Sequence, residues 1–310
     1  MRELAQSTDS VVMIRPQAFG FNPETAASNR YQAQEPPPDD QRAAAVEEFD
    51  GLVAALTEAG VNVVVFDDTP TPVTPDALFP NNWFSTHADG RFVTYPMLAP
   101  SRRAERRDDI PTSLAADYGF VITETLSFAA LEDDNIVVEG TGSLVLDRIN
   151  GIAYACLADR TDAAGVAEIC AVLGFRPETF RAVDPGGAPI YHTNVCLAIG
   201  TNWAIICAEA ITDGAERDRI LGSLAASGRE IVTISQAQVS RFCGNALELH
   251  SRSGATLIAM SSQAAAAFDD AQRLTLGRHG RIVHADIGRI EALAGGSVRC
   301  MLAELFLPRR

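Results

Sequence analysis

Three residues in separate parts of the chain are of the types that enzymes use for covalent catalysis. Cys300 ends the motif GGSVRC at 295–300, His192 opens the motif HTN, and Glu139 opens the motif EGTG. In nucleophilic catalysis a thiolate attacks the substrate, an imidazole transfers protons, and a carboxylate orients the imidazole. Together these residue types are suited to covalent hydrolysis or group transfer.

Two further motifs supply polar groups suited to holding a substrate. The motif FPNNW contains the amides Asn81 and Asn82, and the motif DRT contains the guanidinium of Arg160. Taken singly, residues of all five motifs have ordinary structural explanations, such as a buried thiol, a hydrogen-bonded histidine or a glycine turn. Only their combination favours a functional site.

The elements that must position these motifs repeat along the chain. An amphipathic segment containing Phe49 predicts a helix that stops at Gly60, and the β-rich segment 61–66 follows it. The same order of helix, glycine and strand recurs at four further glycines, which are Gly119, Gly174, Gly228 and Gly277. With the additional strand candidates between them, each unit is predicted to contain three short strands and one helix.

Some element boundaries are also predicted. Thr161 and Thr212 stand where the N-caps of the third and fourth helices are expected. Strand candidates include 120–123, 135–147 and 195–199. Five units without an obvious linker predict one closed, pseudo-symmetric α/β assembly over residues 1–310, with the motifs at its centre. The alternative is an ordinary α/β fold in which the five glycines are a coincidence.

Composition excludes several classes of partner. The chain has 310 residues, 47% of them hydrophobic, and a formal net charge of −15. No run of about 18 apolar residues predicts a membrane span, and the negative charge opposes nucleic-acid binding. A short basic cluster, which contains Arg102, Arg103, Arg106 and Arg107, is interpreted as a solvated helix face because acidic residues dilute it.

The six cysteines and the N-terminus indicate a cytoplasmic protein. The start of the chain lacks the basic and apolar segments of a secretory signal. The cysteines are scattered, without metal-ligand spacing, and most lie in apolar runs. We therefore expect neither a disulfide framework nor a metal site.

The order of the motifs resembles the pentein superfamily of guanidino-group-modifying enzymes, which includes arginine deiminase, dimethylarginine hydrolase and arginine-glycine amidinotransferase. The resemblance covers nearly the whole chain, from Arg15-Pro16 on the first predicted strand to the C-terminal cysteine. It implies a five-bladed α/β propeller of ββαβ units, in one catalytic domain. The segments 19–26, 79–83 and 191–195 are most similar to bacterial citrulline-utilisation hydrolases.

The resemblance implies a role for each of the three chemical residues. Cys300 adds to a guanidino or ureido carbon, His192 protonates the departing nitrogen and then activates water, and Glu139 orients the imidazole. Such a carbon is a poor electrophile because nitrogen lone pairs delocalise into it, so both a strong nucleophile and leaving-group protonation are needed. No cofactor or metal is expected. The expected partner is a small amino-acid substrate, and binding to nucleic acid or a membrane is not expected. Formation of a homo-oligomer is left undecided.

Two departures from the family bear on the charge of the substrate. Enzymes that act on a cationic guanidinium place carboxylates around it, but Asn82 and Gly142 stand where two of these aspartates are expected. A neutral ureido group offers donors and an acceptor, which the amides of Asn81 and Asn82 can satisfy. We therefore expect hydrolysis of citrulline to ornithine, ammonia and carbon dioxide. A guanidinium substrate remains an alternative if another acid, such as Asp133 or Asp134, neutralises its charge.

Three further features are carried over from the resemblance, each with a structural alternative. Arg160 aligns with an arginine that contacts the substrate α-carboxylate in dimethylarginine hydrolases, or it is a surface residue. Asn245 resembles a position near the substrate backbone, or it is a turn residue. The turn-rich segment 22–41 either covers the site as a lid or links a strand to a helix.

Other functions compete with citrulline hydrolysis. Within the superfamily they are arginine deiminase and a two-step arginine dihydrolase, then dimethylargininase or an amidinotransferase. From a different class, a non-catalytic pentein-like binding protein, as with ribosome-associated members, is the alternative. The complete set of Glu139, His192 and Cys300 argues against a binder, which has no need of all three.

Overall fold

A computed structural model describes residues 5–37 and 39–310, which form five three-stranded sheets. The strands are β1 (Ser10–Arg15), β2 (Asn62–Asp67), β3 (Phe84–Thr86), β4 (Arg91–Thr94), β5 (Glu124–Ser127), β6 (Leu144–Asp147), β7 (Ile152–Cys156), β8 (Arg176–Phe180), β9 (Leu197–Ile199), β10 (Trp203–Ile206), β11 (Glu230–Thr233), β12 (Leu247–His250), β13 (Thr256–Ser261), β14 (Arg281–Ala285) and β15 (Ala303–Glu304).

Helices connect and flank the strands. They are α1 (Pro23–Ala26), α2 (Arg42–Glu58), α3 (Pro100–Arg103), α4 (Asp109–Ala116), α5 (Gly140–Ser143), α6 (Ala163–Leu173), α7 (Thr193–Cys196), α8 (Gly214–Ala226), α9 (Gln236–Val239), α10 (Ser262–Ala267), α11 (Asp270–His279), α12 (Gly288–Ala294) and α13 (Val298–Met301). Three 3₁₀ turns are Pro80–Asn82, Ala129–Asp134 and Ala208–Ala210. No helix within 5–37 or 39–310 is both long and apolar enough to cross a membrane.

All five sheets share one pairing pattern. The middle strand pairs antiparallel with one neighbour and parallel with the other, in the orders β15-β1-β2, β3-β4-β5, β6-β7-β8, β9-β10-β11 and β12-β13-β14. A helix connects each parallel pair, as such a crossover requires. In the first sheet the antiparallel neighbour is β15, so the last strand joins the first unit. The predicted five-bladed α/β propeller of ββαβ units is confirmed.

Four of the five predicted glycine stops are correct. These four have positive φ angles after a helix: Gly60 (93°), Gly119 (72°), Gly174 (80°) and Gly228 (77°). The prediction for Gly277 is wrong, because this glycine lies inside α11 and the helix ends before Gly280 instead. Only Arg278 and His279 separate Gly277 from Gly280, and the sequence pattern does not show which of the two glycines follows the end of the helix.

Two predicted caps and three predicted strands also need correction. The N-caps are Asp162 and Asp213, one residue after Thr161 and Thr212, because their carboxylates accept the first free backbone N–H groups of α6 and α8. The strand expected at 120–123 forms at Glu124–Ser127. Of the strand expected at 135–147, only Leu144–Asp147 forms a strand, as β6, and the residues before it include α5. Of the strand expected at 195–199, only Leu197–Ile199 forms a strand, as β9, and the first two residues belong to α7.

Short turns before the first strand of the sheets hold the polar motifs. The turn Pro80–Asn82 precedes β3, α5 precedes β6, α7 precedes β9, and α13 precedes β15. Asn245 follows the corresponding turn before β12. The pseudo-symmetry of the fold therefore places residues from all five units at equivalent positions, and this brings distant motifs to one centre.

Candidate active site

A small cavity collects most of the predicted site residues. The cavity and its opening to solvent together hold about 280 Å³ of space that is not filled by atoms. Its walls contain Cys300, His192, Asn82 and Arg160, all predicted from the sequence. The remaining lining residues are Thr25, Asn29, Gln32, Asp76, Phe79, Arg102, Tyr191, Ala294 and Gly296. Side chains from different units of the fold thus converge on a space suited to a small polar molecule.

His192 and Glu139 form a buried pair beside the cavity. Nε2 of His192 lies 2.9 Å from Oε2 of Glu139, and both side chains are almost completely buried. Burial opposes ionisation of Glu139, but Arg160, His192 and Arg102 outweigh it and lower its pKa to about 2. Glu139 is therefore a carboxylate at neutral pH.

The imidazole of His192 is neutral at neutral pH. Burial lowers the pKa of His192 to about 4, although Glu139 acts in the opposite direction. Because the ionised Glu139 accepts the proton of Nε2, the second ring nitrogen, Nδ1, is unprotonated. This nitrogen lies near Gly142, where an added Cβ would approach it to 2.8 Å. It is available to take a proton.

Cys300 lies on α13 and its sulfur contacts two asparagines. Nδ2 of Asn245 is 3.3 Å from Sγ, and Nδ2 of Asn194 is 3.5 Å from it. Asn245 is not among the residues that line the cavity, so the structure does not place it as a substrate contact. The sequence motif HTN contained Asn194, but the pattern gave no signal for its contact with the sulfur.

Of the predicted amide pair, Asn82 lines the cavity and Asn81 does not. Asn81 is completely buried, and its backbone carbonyl accepts a hydrogen bond from Thr141. Oδ1 of Asn82 accepts a 2.8 Å hydrogen bond from Nη1 of Arg102. Since a guanidinium donates only, this contact fixes which end of the amide is oxygen. Among the described residues, Nδ2 of Asn82 has no hydrogen-bond partner.

Arg102 was assigned by sequence to a solvated helix face, and this is wrong. Its side chain is 3% exposed and forms a two-bond ion pair with Glu105, which is also buried. Nη1 of Arg102 is 3.8 Å from Oε2 of Glu139. The i,i+3 spacing of Arg102 and Glu105 was the available signal, but such spacing is also common on exposed helices. A buried cation therefore adjoins the site.

Arg160 is buried against the cavity, so the surface alternative is wrong. Its guanidinium lies 4.9 Å above the ring centre of Tyr191 and 3.6 Å from Oε2 of Glu139. It donates to the hydroxyl of Ser28 and to the carbonyl of Thr25. The guanidinium is therefore held in a fixed orientation, with Nε and Nη2 engaged by Ser28 and Thr25 and Nη1 facing Glu139.

The segment that begins at Asn22 forms one wall of the cavity. Thr25, Asn29 and Gln32 line it, and Asn29 donates to the carbonyl of Ala294, which also lines the cavity. Of the two sequence interpretations, a cover over the site therefore describes residues 22–32 better than a simple link. Residue 38 of the longer segment lies outside the described residues.

An acid that sequence did not identify faces the cavity. Asp76 is buried, and its Oδ2 accepts hydrogen bonds from Asn22 at 2.7 Å and from Thr25 at 3.2 Å. Asp133 and Asp134, named from the sequence as possible neutralising acids, lie in the exposed turn Ala129–Asp134. Within the described residues, no group of three or more His, Cys, Asp or Glu side chains is arranged to hold a metal ion.

Comparison with known proteins adds a family and a fold. The family described as N,N dimethylarginine dimethylhydrolase, eukaryotic, matches residues 15–307. No curated protein matches the sequence.

Solved structures share the fold at low sequence identity. The substrate-bound N-terminal domain of ArgZ, an arginine dihydrolase from the ornithine-ammonia cycle in cyanobacteria, has a TM-score of 0.73 at 15% identity, over 95% of this chain and 97% of that domain. Unliganded AgrE gives 0.74 at 18% identity, and the match spans 97% of this chain but 40% of AgrE. DDAH from Pseudomonas aeruginosa, complexed with citrulline, gives 0.64 at 16% identity, over 96% of this chain and 100% of that one.

Proposed function

The chain belongs to the N,N-dimethylarginine dimethylhydrolase family, a family of cysteine hydrolases of guanidino C–N bonds, and on that premise we propose that it hydrolyses citrulline to ornithine, ammonia and carbon dioxide. Cys300, His192 and Glu139 carry the chemistry in this proposal. Residues 1–310 act as one catalytic unit. We further propose that it works in the cytoplasm, where its six cysteines, all free thiols, stay reduced.

The observation that carries the choice of citrulline is the orientation of Asn82. Its oxygen is occupied by Arg102, so the amide presents N–H donors beside the unprotonated Nδ1 of His192. A guanidinium offers only donors and has no acceptor for these N–H groups, whereas the ureido oxygen of citrulline accepts a hydrogen bond. The positive charge of Arg102 also disfavours a second cation at this place.

The proposed reaction begins with addition of the Cys300 sulfur to the ureido carbon. His192 accepts the thiol proton during addition and gives it to the terminal nitrogen, and the C–N bond breaks to release ammonia. The product is an S-carbamoyl enzyme in which the carbon stays bonded to the ornithine nitrogen. The donors of Asn82 stabilise the oxygen as negative charge develops on it.

Water completes the cycle. His192, neutral again, removes a proton from water, whose oxygen attacks the carbonyl carbon. The C–S bond then breaks, and the proton passes from His192 to the departing sulfur of Cys300. The released N-carboxyornithine loses carbon dioxide to give ornithine. Citrulline and one water thus give ornithine, ammonia and carbon dioxide. Arg160 binds the substrate carboxylate in this scheme, and the 22–32 wall excludes bulk water.

A two-step arginine dihydrolase is the second candidate, and Asp76 favours it. A buried carboxylate on the cavity wall can neutralise part of the charge of a guanidinium. The structural neighbour ArgZ is an arginine dihydrolase, in keeping with such a reaction.

The test is incubation of the purified protein with citrulline and, separately, with arginine, with ornithine, citrulline and ammonia quantified over time. The proposal expects ornithine and ammonia in equal amounts from citrulline and little product from arginine. Ornithine from arginine at a similar or higher rate supports the second candidate. No product from either substrate, with a correctly folded protein, contradicts the proposal.

A further inference from the structure

The sulfur of Cys300 differs from other cysteine sulfurs of the chain in the direction of its hydrogen bonds. Cys156, Cys196 and Cys243 each donate the thiol hydrogen to a backbone carbonyl, which requires the protonated form. Cys300 instead accepts from two side-chain amides. Donors that point at a sulfur favour the thiolate over the thiol.

The amide of Asn245 is locked in the orientation that this contact needs. Its Oδ1 accepts a 2.9 Å hydrogen bond from the backbone N–H of Arg299, the residue before Cys300. Because a backbone N–H only donates, the atom that faces it is the oxygen and the NH₂ group faces the sulfur. The same NH₂ group donates to the carbonyl of Asn194 at 3.0 Å, which uses its second hydrogen.

Asn194 completes the contact from another unit of the fold. It lies on α7, two residues after His192, and approaches Cys300 from the turn of a different sheet. Both asparagines are about 1% exposed, so water does not compete for the sulfur from their side. In such surroundings each N–H contact to an anion is stronger than in water.

We propose that Asn194 and Asn245 together form a thiolate-stabilising site, in which two buried amide donors stabilise the thiolate of Cys300 that forms when His192 takes the thiol proton. Their role differs from the substrate contact that sequence assigned to Asn245. This inference rests on the proposed function of Cys300 as the nucleophile, but its test needs no substrate turnover.

The test compares the variants Asn245→Asp and Asn194→Asp with the native protein. In each variant the side chain keeps its shape, but an oxygen replaces the N–H donor. The negative charge of the aspartate then lies beside the negative charge of the Cys300 thiolate. The matched control is Asn202→Asp, on an exposed turn between β9 and β10. The rate of iodoacetamide alkylation of Cys300 is measured against pH by peptide mass spectrometry, and a Cys300→Ala protein gives the background.

We expect the midpoint of the alkylation profile to rise by about one pH unit or more in each site variant, with about tenfold slower alkylation at neutral pH. Asn202→Asp should match the native profile. Unchanged midpoints in both site variants, or a loss that is equal at all pH values, overturn the inference. If Asn245→Asp does not fold, as judged by circular dichroism, Asn194→Asp alone decides.

The alkylation and turnover experiments fail independently. If the alkylation midpoint shifts in the site variants but the native protein does not hydrolyse citrulline, the thiolate site is supported and citrulline is rejected as the substrate. Turnover by the native protein with unshifted midpoints supports the hydrolase and removes the thiolate site.

Discussion

Nη1 of Arg102 donates a 2.8 Å hydrogen bond to Oδ1 of Asn82, and this contact fixes which end of the amide is oxygen. The arginine is itself fixed by its two bonds to Glu105. Burial raises the pKa of Glu105, and Arg102 opposes the rise. The amide of Asn82 is thus held with its nitrogen on the side of Gly142 and Nδ1 of His192.

Replacing Asn82 with aspartate should reverse the preference for a neutral substrate. The variant carries an acceptor where the native side chain has donors, and it repels a ureido oxygen. We expect kcat/KM for citrulline to fall by about 100-fold or more, and the ratio of arginine to citrulline activity to rise. Steady-state assays with both substrates measure this. An unchanged ratio would show that Asn82 does not contact the reacting group.

Gly142→Ala should disrupt the site by overpacking it. A Cβ at this position would lie 2.4 Å from Nδ2 of Asn82 and 2.8 Å from Nδ1 of His192, so both groups must move. We expect about a 100-fold loss of kcat. The matched control is Gly222→Ala in α8, where a Cβ meets no atom within 4 Å. The control should keep full activity and gain about 0.5–1 kcal/mol in the free energy of unfolding.

Arg160→Lys should weaken substrate binding more than the chemical step. Lysine keeps the positive charge near Glu139 but loses the N–H groups by which Ser28 and Thr25 hold the guanidinium, and with them the fixed position of Nη1. We expect KM for citrulline to rise about 10-fold or more, with a smaller change in kcat. Arg273→Lys, at an exposed ion pair with Asp270, is the control and should behave as the native protein. A purely structural role would instead lower stability without a selective change in KM.

The loss of kcat/KM at low pH should occur at an unusually low pH. His192 must be neutral to accept a proton, and its pKa is lowered to about 4 by burial, with Glu139 opposing. Activity should therefore persist below the ordinary histidine pKa of about 6.5 and fall as the pH decreases through about 4. The measurement is kcat/KM against pH, with circular dichroism at each pH to confirm folding. A limb near 6.5 in a folded protein would contradict a buried neutral His192.

The sequence predicted the repeat and several of the residues that the structure brings together at the cavity, for identifiable reasons. Positive-φ glycines after amphipathic helices leave a local pattern, and so do cysteine and histidine beside glycine or polar turns. Arg102 and Asp76 were missed because their importance depends on burial beside residues distant in sequence. The contact between Asn245 and the sulfur of Cys300 could likewise not be predicted, since it depends on how adjacent units of the propeller pack.

The most direct test of the central claim is detection of a covalent intermediate on Cys300. The protein is mixed with citrulline labelled at the ureido carbon, quenched in acid within one turnover, digested, and analysed by mass spectrometry. We expect the label, together with the ornithine moiety, on the peptide that contains Cys300, and no label or turnover in Cys300→Ala. Ammonia release by a folded Cys300→Ala variant would contradict it.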